Sequence, residues 1–438
     1  DPLTAYRAIR RVPAAGWLTY QGGTVQQGRY WQMPAPAAEP ANGLTHAEAV
    51  TRVREKFDEA VRIRMIADVP LGAFLSGGID SSSVVASMAL QSPDPIQTFS
   101  IGFEESRFNE LPYARMVAEK YATDHHEIVV RPDSIGIIQK FVKHFGEPFA
   151  DSSAIPTFIV SEFAARTVKV ALSGDGGDEL FGGYTSLQQV QRFGPLDRVP
   201  QSLRLLMSWI SARLPYSAYG KNFLHMIGRR NGLDRYFAFN YSPYHMRSKL
   251  LRPDWMMPAE SGFLAQILPN CVLPDDAGTL SQVMYWEATA NLTGDMLVKV
   301  DRMSMANSLE VRSPLLDHEL AELAATIPHA WKIAGGQGKR ILLDAVGDRL
   351  PPALLNRPKW GFGVPLADWF RGSLREFLWD HVTAAPFLER GIVSPEFLHA
   401  LLEEHDGGRR DNSHWLWSLL VLSLWFQEVD QPVPQPVA

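Results

Sequence analysis

From Val69 to Ser173 the chain alternates short apolar runs with amphipathic stretches, and this alternation constrains its fold more than any other feature. VPLGAFL, IQTFSI, HEIVV and VKVALS read as four buried strands. Ser81 to Leu90, Asn109 to Tyr121 and a two-part stretch from Ile135 to Ala165, broken at Pro148 and Pro156, carry helical periodicity. Strand, helix, strand in repetition needs crossover connections, so the expected class is α/β: a parallel sheet flanked by helices. Ligands in such sheets bind beyond the C-terminal strand ends.

Two of those strand ends are glycine-rich. LSGGIDSSSVV, Leu75 to Val85, follows one predicted strand and opens a predicted helix. Gly77 and Gly78 let the backbone approach a ligand, and the loop N–H groups join the hydroxyls of Ser76, Ser81 and Ser82 in an anion cradle suited to phosphate. Asp80 within it would repel phosphate unless a cation lay between them, which implies Mg²⁺ bridging carboxylate and polyphosphate. Alone, the loop would read better as a Gly-Gly turn with a Ser/Asp helix cap. A second loop, SGDGGD from Ser173 to Asp178, ends another predicted strand and carries Asp175, Asp178 and Glu179. Phosphate donors and carboxylates facing one another at one sheet edge have the composition of a Mg-nucleotide site.

The remainder is less informative about chemistry. Residues 1–33 read as a small hairpin-like β segment, and the Pro/Ala-rich residues 34–44 as a linker. Thr45 to Ala67 has helical spacing, with Thr45 as N-cap and Glu48 three residues on. Residues 186–290 read as helical and irregular, and the stretch from Met284 to Ile327 as two helices broken at Ser313-Pro314. The uncharged run Asn412 to Gln427 is short of the roughly 20 apolar residues a membrane span needs and is expected to be a buried core helix. Residues 431–438 read as a disordered tail.

Composition removes whole classes. Hydrophobic residues at 46% and charged residues at 21% exclude a disordered or coiled-coil protein. A net charge of −6 lacks the basic excess of a general nucleic-acid or membrane-surface binder, so neither partner is expected, although a local basic patch stays open. The single cysteine, Cys271, permits no internal disulfide or Cys-based zinc site and suits a reducing, cytoplasmic setting. His125-His126 is no metal pair, because consecutive strand residues face opposite ways.

SGGIDSS resembles the pyrophosphate loop of the ATP pyrophosphatases. With FSIGF, HHEIVV, EPFADSSAIPT, LSGDGGDELFGGY, KVDRMSMANSLEVRSPLLD and RPKWGFGVPL, it makes residues 45–430 similar to the synthetase domain of glutamine-hydrolysing asparagine synthetases. Residues 1–33 resemble only the last strands of that family's glutaminase domain, and Asp1-Pro2 is not an initiator, so the numbering is expected to start inside a longer protein. The resemblance implies a nucleotide α-hydrolase-like sheet with a helical C-terminal part. It implies ATP-dependent activation of the L-aspartate side chain as β-aspartyl-AMP with release of pyrophosphate, then amidation by ammonia to L-asparagine. A glutaminase domain or subunit would supply that ammonia in the full-length family, and free ammonia would serve this chain; a homodimer is a further expected partner state.

Residue by residue, the resemblance implies that Leu75 and Ile101 line the adenosine pocket and that Ser76, Gly77, Gly78, Asp80, Ser81 and Ser82 hold pyrophosphate. Ser173 and Gly174 would contact the nucleotide, and Asp80 with Asp178 would bind Mg²⁺. Asp175 stands where the family has Glu, acting in adenylate formation, and is one methylene shorter. Lys359 matches the lysine that steadies charge on the reacting α-phosphate, which adenylation needs electrostatically; the glycines that follow it, Gly361 and Gly363, themselves read as a closing loop. Arg302 and Arg312 read as phosphate contacts or as surface ion-pair partners. The alternative within the fold is an amide-closing cyclase of the β-lactam synthetase or lasso-peptide type. A non-catalytic nucleotide binder would not need Asp80, Asp175, Asp178 and Lys359 together, and a sulfur-transferring tRNA modifier would need a cysteine pair.

Overall fold

The computed structural model describes residues 2–40, 43–130, 135–214, 218–229, 232–240, 244–256, 271, 273, 277–355 and 363–429. An antiparallel hairpin, β1 (Gly16–Gln21) and β2 (Thr24–Arg29), turns on Gly22 and Gly23, both at positive φ. Two positive φ values in succession suit the twist of a two-residue hairpin, and glycine adopts them without steric cost.

The central sheet has five strands: β3 (Leu71–Phe74), β4 (Gln97–Phe103), β5 (Asp124–Val130), β6 (Val170–Leu172) and β7 (Glu310–Arg312). They lie in the order β5-β4-β3-β6-β7, every pair parallel. Four occupy the apolar runs expected to be strands. The fifth corrects the sequence reading: the chain leaves a helix ending at Met305, passes Ser308 at positive φ and pairs with β6 before Ser313-Pro314 is reached.

Helix α1 (His46–Arg64) starts from a capping box in which the Thr45 hydroxyl accepts from the Glu48 N–H and the Glu48 carboxylate accepts from the Thr45 N–H. Next come α2 (Ile79–Gln91), α3 (Leu111–Tyr121), α4 (Ile135–Phe145) and α5 (Ala154–Ala165). Pro148 lies in the break between α4 and α5. Pro156 does not interrupt a helix; it sits in the first turn of α5, where its missing N–H would have had no intrahelical acceptor.

Alternate strand residues feed two cores, one on each sheet face. Phe99, Ile101, Phe103 and Ala171 pack with α4, α5 and the C-terminal helices. Ala73, Leu75, Val170 and Leu172 pack with α1, α2, α3 and the helices after β7. Phe57 of α1 is fully buried in the second core, and Phe57→Ala would cost roughly 3–5 kcal/mol. The apolar run near the C-terminus forms the helix Ser413–Val429, whose Trp417 ring lies 5.7 Å from Phe141. Among the described residues no helix is long and apolar enough to cross a membrane.

Candidate active site

Strand order sets the position of the site. From β3 the chain adds β4 and β5 on one side and β6 and β7 on the other, so connectivity reverses between β3 and β6. A crevice forms at such a switch point. Leu71 pairs with Val170 and Ala73 with Leu172, which brings both glycine-rich loops out side by side into a cleft of about 680 Å³.

In the first loop Gly77 has φ +72°, and a Cβ there would come within 2.6 Å of the Ala114 N atom. Only glycine combines that dihedral with that approach. The Ser76 and Ser81 hydroxyls lie 2.9 Å apart, and the Gly78 N–H donates to Ser76 Oγ at 3.2 Å. The loop thus enters the N-terminus of α2 with its donors gathered on the cleft. In the second loop the Ser173 hydroxyl donates to Asp175 Oδ2 at 2.7 Å, and α6 (Gly177–Phe181) starts directly after it. A Cβ at Gly174 would stand 2.6 Å from Ser81 N, and one at Gly177 would overlap the Asp80 carboxylate. The missing side chains let the two loops pack backbone to backbone.

Lys339, which sequence reading did not single out, joins these loops. Its ammonium forms an ion pair with Asp178 Oδ1 at 2.7 Å and donates to Asp80 Oδ2. Burial opposes its charged form, but Coulombic attraction from Asp80 and Asp178 outweighs that and raises its pKa above the ordinary lysine value. The signal was the run GGQGK: Gly338 approaches the Gly182 carbonyl so closely that a Cβ would overlap it, and Lys339 itself has φ +58°.

A second ionic group floors the cleft. Lys299 donates to Asp151 Oδ2 at 2.8 Å and to Ser153 Oγ at 2.7 Å. It follows a π-helical segment, Glu287–Met296, a local widening frequently found at functional sites. Burial pushes Asp295 up to about 6, helped by the Asp151 charge and opposed by Lys299. Burial also raises Asp175, against the Ser173 bond and the Lys299 charge. Glu179 is pushed up to about 7, by burial first, while accepting a 2.5 Å bond from the Tyr184 hydroxyl. Such raised carboxylates mark a partly desolvated site.

Leu75, Ser76, Gly77, Gly78, Asp80, Ser81, Ile101, Ser173, Gly174, Asp175 and Asp178 all line the cleft. Ser82 does not; it is fully buried behind the loop. Lys359 and Gly361 lie outside the described residues. Arg302 is exposed on its helix, and Arg312 donates to the carbonyls of Arg64 at 2.9 Å and Ile66 at 2.7 Å, so neither reaches the cleft. His125 bonds Thr98 and Glu127 while His126 stacks on Phe99, on opposite sides of β5.

The donor chemistry suits a Mg-nucleotide. Asp80 and Asp178 converge on one cation, here the Lys339 ammonium, and present the hard oxygens Mg²⁺ takes when phosphates and water complete its shell. Among the described residues no third carboxylate, His or Cys joins them.

The asparagine synthase family model matches residues 52–427. A Mycobacterium tuberculosis protein provisionally named a glutamine-hydrolyzing asparagine synthetase is 34% identical over 435 residues, 97% of this chain and 65% of its own length. Glutamine-hydrolyzing asparagine synthetase 1 of Bacillus subtilis is 32% identical over 387 residues, covering 86% of this chain and 59% of its own. The chain therefore spans less than two thirds of these relatives. A protein of Penicillium rubens named amidase chyE is 25% identical over 90% of this chain.

Proposed function

The chain belongs to the asparagine synthase family, and we propose that it is an ATP-dependent ligase that activates a carboxylate as an acyl-adenylate and converts it to an amide with ammonia. The observation that carries this reading is the convergence of Asp80, Asp178 and Lys339 beside two glycine-rich loops at the switch point of the sheet. The N-terminus of α2 with Ser76 and Ser81 cradles the polyphosphate. Leu75 and Ile101 provide the apolar wall for adenosine. Asp80 and Asp178 would hold Mg²⁺, which when bound neutralises charge on the leaving pyrophosphate.

The chemistry balances without further reagents. A substrate carboxylate oxygen attacks the α-phosphorus, the bond to pyrophosphate breaks, and ammonia then displaces AMP at the acyl carbon with loss of a proton. Lys339, released from the carboxylates as phosphate arrives, supplies positive charge to the phosphates, and Lys359 steadies the charge developing at the α-phosphorus. L-Aspartate is the proposed substrate. Lys299 and Ser153, which line the cleft and both bond Asp151, give it a charged, hydrogen-bonding character that suits an amino acid better than an apolar acid.

The test is pyrophosphate exchange into ATP across a panel of amino acids. Exchange that depends on L-aspartate supports the reading. Exchange driven only by a longer substrate whose own amine can close a ring on the activated carboxylate, and not by L-aspartate, would turn it toward a cyclase, and no exchange with any carboxylate would end it.

A further inference from the structure

Helix α7 (Thr185–Phe193) leads to α8 (Gln201–Arg213) and α9 (Lys221–Ile227), and α8 is inside out. Arg204 and Ser211 are only 8% and 0% exposed, whereas Leu206 is 50% and Trp209 54% exposed. The inward face is fixed by specific bonds. Arg204 donates to the carbonyls of Val199 and Arg229, each at 3.1 Å, and Ser211 Oγ donates to the Lys221 carbonyl at 3.1 Å. Ser208 packs against Gly228 so closely that a Cβ on the glycine would stand 2.5 Å from its own Cβ. The helix therefore cannot roll to bury its leucines, and Leu203, Leu206, Trp209 and Ile210 form one outward arc at helical spacing.

The sequence around this arc is basic. Residues 185–230 contain seven Lys and Arg against one acidic residue, Asp197, within a chain whose net charge is −6, although Arg204 and Lys221 of these are buried. The whole-chain balance that argued against a membrane-surface binder conceals this local patch. Arg192, Arg198 and Arg213 are exposed, and the Arg213 guanidinium lies 3.5 Å from the centre of the Trp209 ring. Leucines, an isoleucine and a tryptophan facing outward among arginines form the pattern of a helix lying in a bilayer interface, apolar side chains in the acyl boundary and guanidinium groups on phosphates. An outward-facing helix needs no shaped partner groove to seat in such a fluid, anionic surface.

We infer that α8 docks this protein on an anionic lipid surface. The test is co-sedimentation of the full 438-residue chain with phosphatidylcholine vesicles, with and without phosphatidylglycerol. Partitioning should be about tenfold stronger with the anionic lipid and weaken as salt is raised. Leu206→Glu with Ile210→Glu should abolish it while circular dichroism and pyrophosphate exchange stay at the parent level. Arg192→Glu with Arg213→Glu should remove the preference for anionic lipid. Equal partitioning of the parent and the Leu206/Ile210 variant would overturn the inference. So would a concentration-dependent dimer in light scattering that this variant abolishes, without vesicle binding by the parent; the arc would then be an interface between copies.

Discussion

The Lys339 ammonium stands 2.7 Å from the Asp178 carboxylate and bonds Asp80 as well, so one buried cation ties together the loops that follow β3 and β6. Two carboxylates facing one cleft repel each other unless something positive lies between them. Lys339 supplies that charge and links both loops.

Replacing Lys339 with Met should leave both carboxylates uncompensated in a largely buried site, at a cost on the order of 3–5 kcal/mol. Mg²⁺ should then raise the melting temperature of the variant more than that of the parent, because binding to the folded state alone stabilises it. A variant with the parent's melting temperature and no added response to Mg²⁺ would show that Lys339 does not balance this pair.

Asp80→Asn and Asp178→Asn should each remove most ATP-dependent pyrophosphate release while the fold persists, since neither side chain packs in an apolar core. The measurement is release at saturating ATP over a Mg²⁺ titration. Near-parent rates at ordinary Mg²⁺ from either variant would remove that residue from the metal assignment.

Glu179 gives stability a pH dependence. Its folded pKa of about 7 lies above the ordinary 4.5, chiefly through burial, so the folded state binds more protons than the unfolded chain between those values. Stability from this group is therefore full below about pH 4.5, is lost as pH rises toward 7 and changes little beyond, a difference on the order of 3 kcal/mol. Glu179→Gln keeps an acceptor for the Tyr184 hydroxyl and should flatten the change in denaturant midpoint between pH 5 and pH 7.5. An unchanged slope in the variant would place the titration elsewhere.

The parts of this site visible in sequence are those where one short segment carries the whole signal. SGGIDSS and SGDGGD each combine a strand end, glycines and carboxylates within a few residues, and the strands before them are continuous apolar runs. Lys339 belongs to a segment whose function depends on reaching loops far away in the chain, and Lys299 meets Asp151 across 148 positions. Periodicity cannot report such pairings. β7 escaped because EVR is three residues long, carries two charges and lies between helical stretches, so its only strand signal is the pairing with β6. The inverted face of α8 was hidden differently: residues 186–290 read as helical and irregular, which does not say which side of a helix meets the protein.

Lys359 is tested by its separate effects on rate and on ATP affinity. Lys359→Ala should slow adenylation by roughly a hundredfold, the usual effect of losing one transition-state charge partner, with a smaller change in ATP affinity. If affinity and rate fall in the same proportion, the lysine contributes ground-state binding instead.

The source of nitrogen is the last test. Amide transfer from glutamine needs a nucleophile that can be reached by the substrate, and the one thiol of this chain, Cys271, is 9% exposed and donates to the Thr289 carbonyl at 3.5 Å. A thiol so placed packs as a small apolar group and does not attack an amide. The 438-residue chain is therefore expected to form amide from ammonium, at a rate that rises with pH as more of it is present as NH₃, and Cys271→Ser should leave that rate unchanged. Amide formation would be followed with ammonium or glutamine as the only nitrogen source and free ammonia removed enzymatically from the glutamine arm. Turnover in that arm, lost in Cys271→Ser, would make the buried thiol a nucleophile and overturn the expectation.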